Sequence, residues 1–182
     1  MSGQRVFDAH VHVQPYWEYF EAAGSFIYGY ITEEKRDWMK SLMDSPEKFV
    51  NHMDDQGVNR AMLVNYLSPK VIGFSPKVNE FVSKYVKGRE DRLVACGGID
   101  PFKVKDAKKW ISRLVGSGIR VLKLHPPHQL FSANDYLPRS EGGRGLSSLR
   151  ATYAAAEMEG MVVMIHTGTS VFPPRATATA TR

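Results

Sequence analysis

The sequence predicts an α/β chain in which short strands alternate with helices around a parallel sheet. Short apolar runs recur at residues 5–12, 61–66, 93–99, 121–125 and 162–166. Several are nearly continuous in apolar side chains, as strands covered on both faces are. The segments between them carry helix starts and stops, and a repeated strand–helix order implies right-handed crossovers in one sheet.

The first strand alternates cleanly. In Val6-Phe7-Asp8-Ala9-His10-Val11-His12-Val13, the residues Phe7, Ala9, Val11 and Val13 share one face, while Asp8, His10 and His12 share the other. An irregular insertion at 14–31 follows, rich in aromatics (Tyr16, Trp17, Tyr19, Phe20, Phe26, Tyr28, Tyr30). It reads equally as the lining of a substrate pocket and as a lid that packs for stability. Ser45 then caps a helix with Pro46 at its first position, running to Gln56 and stopped by Gly57.

After the second strand, Ser75-Pro76 opens a helix that ends near Gly88. The third strand contains the sole cysteine, Cys96, and a helix over 104–115 follows, with Gly116 and Gly118 behind it. The fourth strand leads into a second insertion at 126–145, rich in proline and glycine. A helix over 146–158, closed by Gly160, then leads into the fifth strand. Both insertions leave from strand ends, the side of a parallel α/β structure that carries function. The last residues, 175–182, alternate alanine and threonine without amphipathic pattern and read as a disordered tail behind a single domain over 1–174.

Composition narrows the function classes. The chain has 182 residues and a formal net charge of +5. Its basic residues are interspersed with acids, as in Glu33-Glu34-Lys35-Arg36-Asp37, which argues for a solvated surface over nucleic-acid binding. One cysteine allows no intramolecular disulfide and no thiolate-based zinc site, and Cys96 sits in an apolar run as a buried thiol would. No apolar stretch approaches a membrane span, so a cytoplasmic protein with a small-molecule substrate is the expectation. No glycine-rich phosphate loop follows the first strand, which disfavours a nucleotide-binding fold.

The chemistry concentrates on the polar face of the first strand. Three polar groups on a face meant for burial are costly unless something satisfies them. Two imidazoles spaced two residues apart converge on one point, and a divalent metal is the usual partner. Asp8 then has a natural place supporting the ligands from behind.

Asp8-Ala9-His10-Val11-His12 resembles the first-strand signature of the amidohydrolase superfamily. The runs Gly98-Ile99-Asp100-Pro101, Val121-Leu122-Lys123-Leu124-His125-Pro126 and Val163-Met164-Ile165-His166-Thr167-Gly168 resemble its amidohydrolase-related branch. That branch includes aminocarboxymuconate-semialdehyde and resorcylate-type decarboxylases as well as hydrolases. The resemblance implies the N-terminal five βα units of a TIM-type (β/α)8 barrel, with one divalent metal, most often zinc. It implies His10 and His12 as ligands from strand one and His166, at the end of strand five, as the third.

Lys123 and His125 are then expected to contact substrate or to serve the structure. A carboxylated Lys123 bridging two metals is the less favoured role. His128, in the proline-rich insertion, is expected to be exposed, and His52 has no assigned role. Asp100 is the best internal carboxylate for acid–base work, although a turn role before Pro101 fits it better.

The family pattern also includes a histidine on strand six and an aspartate on strand eight, and no residue here matches either. The chain therefore reads as truncated after strand five, where a complete barrel takes about 250 residues. Its open first and fifth strands are expected to favour self-association. The favoured reading is a metal-dependent hydrolase in which a metal-activated water attacks a C–N or C–O bond; the alternatives are a metal-dependent decarboxylase of an aromatic or unsaturated acid and a catalytically incomplete fragment or interaction protein.

Overall fold

A computed structural model describes residues 5–170; the tail at 175–182 lies outside them. The five strands are β1 (Phe7–Val11), β2 (Arg60–Val64), β3 (Leu93–Gly98), β4 (Ile119–Leu124) and β5 (Val162–Ile165). They form one parallel sheet in the order β1-β2-β3-β4-β5, so each strand pairs with its successor in sequence. The result is a half-barrel of five parallel strands joined by four helical crossovers, an incomplete TIM-type barrel. Among the described residues β1 and β5 are its edges, and Phe7 and Val162 remain well exposed there.

The helices are α1 (Glu21–Tyr28), α2 (Glu33–Asp44), α3 (Pro46–Asp55), α4 (Lys77–Val86), α5 (Ala107–Gly116), α6 (Pro126–Gln129) and α7 (Ser147–Met158). None of them is long and apolar enough to cross a membrane. Ser45 caps α3 by accepting from Lys48 N at 3.2 Å. Helix α5 begins later than the sequence predicts. Asp106 caps it through Lys109 N at 2.9 Å, while Lys103 N and Val104 N are tied into a turn on Asp100 O. Ser75 is drawn partly away from capping α4, because its backbone N–H and hydroxyl both donate to the Glu18 carboxylate. Helix α2 has no counterpart in the sequence reading. Thr32 caps it through Lys35 N, but Met43 is its one buried residue, so its apolar stripe is narrow.

The sheet sorts its side chains by face. Ala61, Leu63, Leu93, Ala95, Leu122 and Leu124 point outward and pack with Met53, Val82, Ile111, Leu114 and Leu149 of the helices into the main core. Met62, Val64, Cys96 and Val121 form a separate small cluster on the inner face, with Val94 and Met164 beside it. A third cluster joins the aromatic insertion to the loop after β2, through Ala23, Tyr66, Leu67, Val71, Ile72 and Phe74. The approach there is close. Gly73 has φ of 114°, and a Cβ on it would sit 2.2 Å from Glu18 O, so only glycine fits the turn. The insertion is therefore packed onto the domain by a core of its own.

One buried polar contact joins α4 to the sheet. Asn79 is 7% exposed, donates from Nδ2 to Gly98 O at 2.9 Å, and accepts from Gly98 N at 2.8 Å. Replacing it leaves the Gly98 N–H buried without a partner. We expect Asn79→Ala to cost about 2 kcal/mol, read as a lower urea midpoint at constant slope. An unchanged midpoint would show that water replaces both bonds.

Candidate functional site

The polar residues of the first strand sit as the alternation requires. Asp8 and His10 lie on the inner face of β1, and His12 follows directly after its end. Asp8 Oδ1 accepts from His10 N at 3.0 Å, so the carboxylate caps the backbone of the ligand strand. The His10 and His12 rings are 5.0 Å apart, edge to face.

His12 is held by the aromatic insertion. Its Nδ1 lies 3.3 Å from Val64 O and 3.1 Å from Gln14 Nε2. The Gln14 carboxamide is fixed by Tyr19, whose hydroxyl donates to Oε1 at 2.9 Å. With its proton on Nδ1, His12 donates to Val64 O and keeps the Nε2 lone pair for a ligand. With Nδ1 bare, it accepts from Gln14. The first arrangement is the one in which a metal-ligating histidine is oriented by a backbone carbonyl.

A second group gathers at the ends of β4 and β5. Lys123 is 2% exposed, opposite Gly98 on β3 and Met164 on β5. His125 N donates to Gln129 Oε1 at 2.8 Å, and Gln129 Nε2 donates to Ile99 O at 2.7 Å. His128, expected to be exposed, is buried. Pro126 and Pro127 start the short helix α6, and the left-handed Leu130 (φ 63°) ends it one turn later. That turn carries the imidazole inward, where Nδ1 meets Tyr66 Oη at 2.9 Å and Nε2 meets Ser170 Oγ at 2.7 Å.

The rings of this second group are stacked. His125 lies 3.7 Å from His128 and 4.0 Å from His166 between centroids, with ring planes within 14° and 12° of parallel. Tyr66 stacks on His125 at 4.7 Å. His166 continues β5, donating from its backbone N to Leu124 O. Its Nε2 is buried without a hydrogen-bond partner among the described residues, as is His125 Nδ1. Gly168 covers that nitrogen; a Cβ there would stand 3.1 Å from Nε2.

Burial dominates the electrostatics. It lowers the His12 pKa to about 4, helped by the neighbouring His10 and opposed by the Val64 bond. His10 is also lowered, by burial and by Lys123 and His166, against the pull of Asp8. His125 falls to about 3 and His128 to about 4, again chiefly through burial and then through the crowding of imidazoles. Burial lowers Lys123 and raises the Cys96 thiol to about 12, which leaves the cysteine unreactive.

These features bear directly on a metal. Neutral imidazole is the ligating form, and an orphaned buried Nε2 is a donor without an occupation. The donor chemistry of His10, His12 and His166 thus suits a divalent cation. Their assembly is partial: among the described residues, no three His, Cys, Asp or Glu side chains are gathered into a metal-holding group. The structure pairs His10 with His12 and places His166 in the stack with His125. Asp100 caps the turn after β3, its Oδ1 accepting from Phe102 N at 3.0 Å, and His52 lies edge-on to Trp38 in the helical layer. Sequence reasoning missed Tyr66, Gln14 and His128. Only the Pro-Pro step before His128 hinted at a helical turn able to bury it.

No protein-family model matches the chain, and no curated protein matches it. Solved structures do. An uncharacterised TIM-barrel protein from Bordetella bronchiseptica superposes with a TM-score of 0.61 at 16% identity, covering 92% of this chain and 57% of its own. A 5-carboxyvanillate decarboxylase from Novosphingobium aromaticivorans, a mutant solved with bound manganese and 3-methoxy-4-hydroxy-5-nitrobenzoic acid, gives 0.58 at 15% identity, over 91% of this chain and 51% of that one. The 5-carboxyvanillate decarboxylase from Sphingomonas paucimobilis gives 0.56 at 16%, over 90% and 52%. This chain spans about half the length of these structures, and the likeness establishes the fold.

The depressed imidazoles make stability depend on acid. Above pH 6.5, folded and unfolded histidines are both neutral and contribute nothing. Below it the unfolded chain takes up protons that buried His125 and His128 refuse, so stability is lost as pH falls toward about 4. We expect the urea midpoint to drop between pH 7 and pH 4.5, and His128→Gln to drop less over the same interval. Equal drops would show that His128 is not the group resisting protonation.

Proposed function

We propose that the chain carries part of a metal-dependent decarboxylase acting on an aromatic or unsaturated carboxylic acid. The observation that supports this reading is the His10–His12 pair at the C-terminal end of the first strand. Both imidazoles are held toward the neutral form, and His12 lies within reach of a backbone carbonyl that can orient it. We assign His166 as the third donor, its Nε2 being buried and partnerless among the described residues. Asp8 supports the pair through the His10 backbone.

A divalent cation bound there would supply Lewis-acid polarisation of a substrate oxygen. The nitrogen donor set suits zinc, while the manganese in one solved neighbour makes manganese an equal candidate. Around the pair, Lys123 and His125 are assigned to substrate contact. Tyr66, whose phenol burial holds in the protonated form, fixes the His128 ring that stacks on His125.

Between the two reactions that the sequence motifs leave open, decarboxylation has the better support. Two of the solved structures that share this fold are decarboxylases of an aromatic carboxylic acid. Fold likeness by itself does not fix chemistry: the residues above support a metal site, and the preference for decarboxylation over hydrolysis rests on those two neighbours. One second reading, a chain that binds metal weakly and turns nothing over, is favoured by the lack of any gathered group of three ligating side chains among the described residues.

Metal analysis and CO₂ release separate the two. The decarboxylase reading expects near-stoichiometric metal that is lost in a His10→Ala, His12→Ala variant. It also expects metal-dependent CO₂ release from a panel of hydroxylated benzoic acids. Metal retained by the double variant would remove His10 and His12 from the ligand set. Bound metal with no CO₂ from any acid would leave the non-catalytic reading.

A further inference from the structure

Lys123 is a buried amine with no anion beside it among the described residues. It stands on the inner face of β4, and only 2% of it is exposed. Two ion pairs occur among the described residues, Arg92–Asp54 and Arg144–Asp135, and neither involves Lys123. The titratable groups that interact with it are His10, His12, His125 and Cys96, none of them an anion. Asp8 acts on His10 and spends an oxygen on that residue's backbone.

Taking an ammonium out of water without a paired charge is expensive, and methionine would fill the same volume without that cost. Lysine here lowers stability, as the other polar groups of the inner face, Asp8, His10 and His12, also do, and a charged group held at that cost is available to a ligand. Beside it, Gly98 carries no side chain, and the backbone of Tyr66 and Leu67 fills the space a Cβ would take. Toward the strand end, the half-buried His166 ring and Met164 thioether are the polarisable groups left partly uncovered, at the edge of the buried Tyr66–His125 stack.

We propose that Lys123 anchors the carboxylate of an aromatic acid, the ring of that acid lying toward the Tyr66–His125–His166 stack. This rests on the decarboxylase reading for its setting, but it concerns how the ligand is held and not whether it is turned over. A carboxylate supplies the missing counter-charge, whereas a neutral aromatic amide of the same shape does not.

The test uses the full chain with chelator present, so that no metal contributes. Binding of benzoate, benzamide and inorganic phosphate is measured by calorimetry at matched ionic strength, with the melting temperature followed in parallel. The wild-type protein is expected to bind benzoate in preference to both others. Lys123→Met should weaken benzoate at least about ten-fold and raise the melting temperature of the ligand-free protein. Lys123→Arg should keep the benzoate preference. The wild-type comparison needs no variant to fold: benzamide equal to benzoate overturns the charge argument, and phosphate equal to benzoate overturns the aromatic acid. Benzoate binding undiminished in Lys123→Met overturns the anchor. Benzoate binding with no CO₂ release under metal leaves this inference standing and removes the decarboxylase, and the reverse pair of results removes this inference alone.

Discussion

A parallel sheet covered by helices on one side leaves its other face to be filled by alternate side chains, and here that face is only partly apolar. Met62, Val64, Cys96 and Val121 fill its middle. Asp8 and His10 on β1, with His12 just beyond it, and Lys123 on β4 with His125 and His166 beyond β4 and β5 hold the rest. Each of these groups loses water on folding, and each must recover a partner or remain a cost. Much of the remaining architecture near the strand ends can be understood as the answer to that cost.

The answer differs between the two sides of the site. On the β1 side the chain supplies partners. The aromatic insertion packs on the loop after β2 through its own core, and through Tyr19 and Gln14 it delivers a fixed carboxamide to His12 and Val64. What looks like a lid is thus also an orienting device. On the β4–β5 side, partners are scarcer. Gln129 satisfies the His125 backbone and Tyr66 satisfies one His128 nitrogen, but His125 Nδ1 and His166 Nε2 stay bare among the described residues. Stacking of neutral rings at 3.7–4.0 Å replaces hydrogen bonding there.

The strands and their facing were legible in the sequence because period-2 alternation and apolar runs are local signals. All five strands fall within two residues of where those signals place them at most ends, and Ser45-Pro46 marks α3 correctly. Helix α2 was not legible, since one buried methionine gives no stripe to detect. The site was legible in part. His10 and His12 follow from alternation, but the burial of His128 depends on a turn made by Pro126, Pro127 and a left-handed Leu130, and its partner Tyr66 is sixty-two residues away. Contacts at that separation leave no trace in a window of sequence.

The distribution of unsatisfied groups carries the last step. A chain selected only to fold would place Met or Leu at position 123 and pair or delete the buried imidazole nitrogens, because each bare polar atom lowers stability. Here a buried amine and two bare ring nitrogens gather at the ends of β4 and β5, while Tyr28 Oη, Arg36 Nε, Asn65 Oδ1 and Ser68 Oγ are the other buried atoms without a partner among the described residues, and Asn79, in the interface between α4 and β3, has both ends of its amide bonded. What sets the strand ends apart is the kind of group gathered there, imidazoles and one amine able to bind a ligand, and not the number of bare atoms. On the reading proposed above, these groups, next to the His10–His12 pair, would recover on binding the partners they lack in the folded chain.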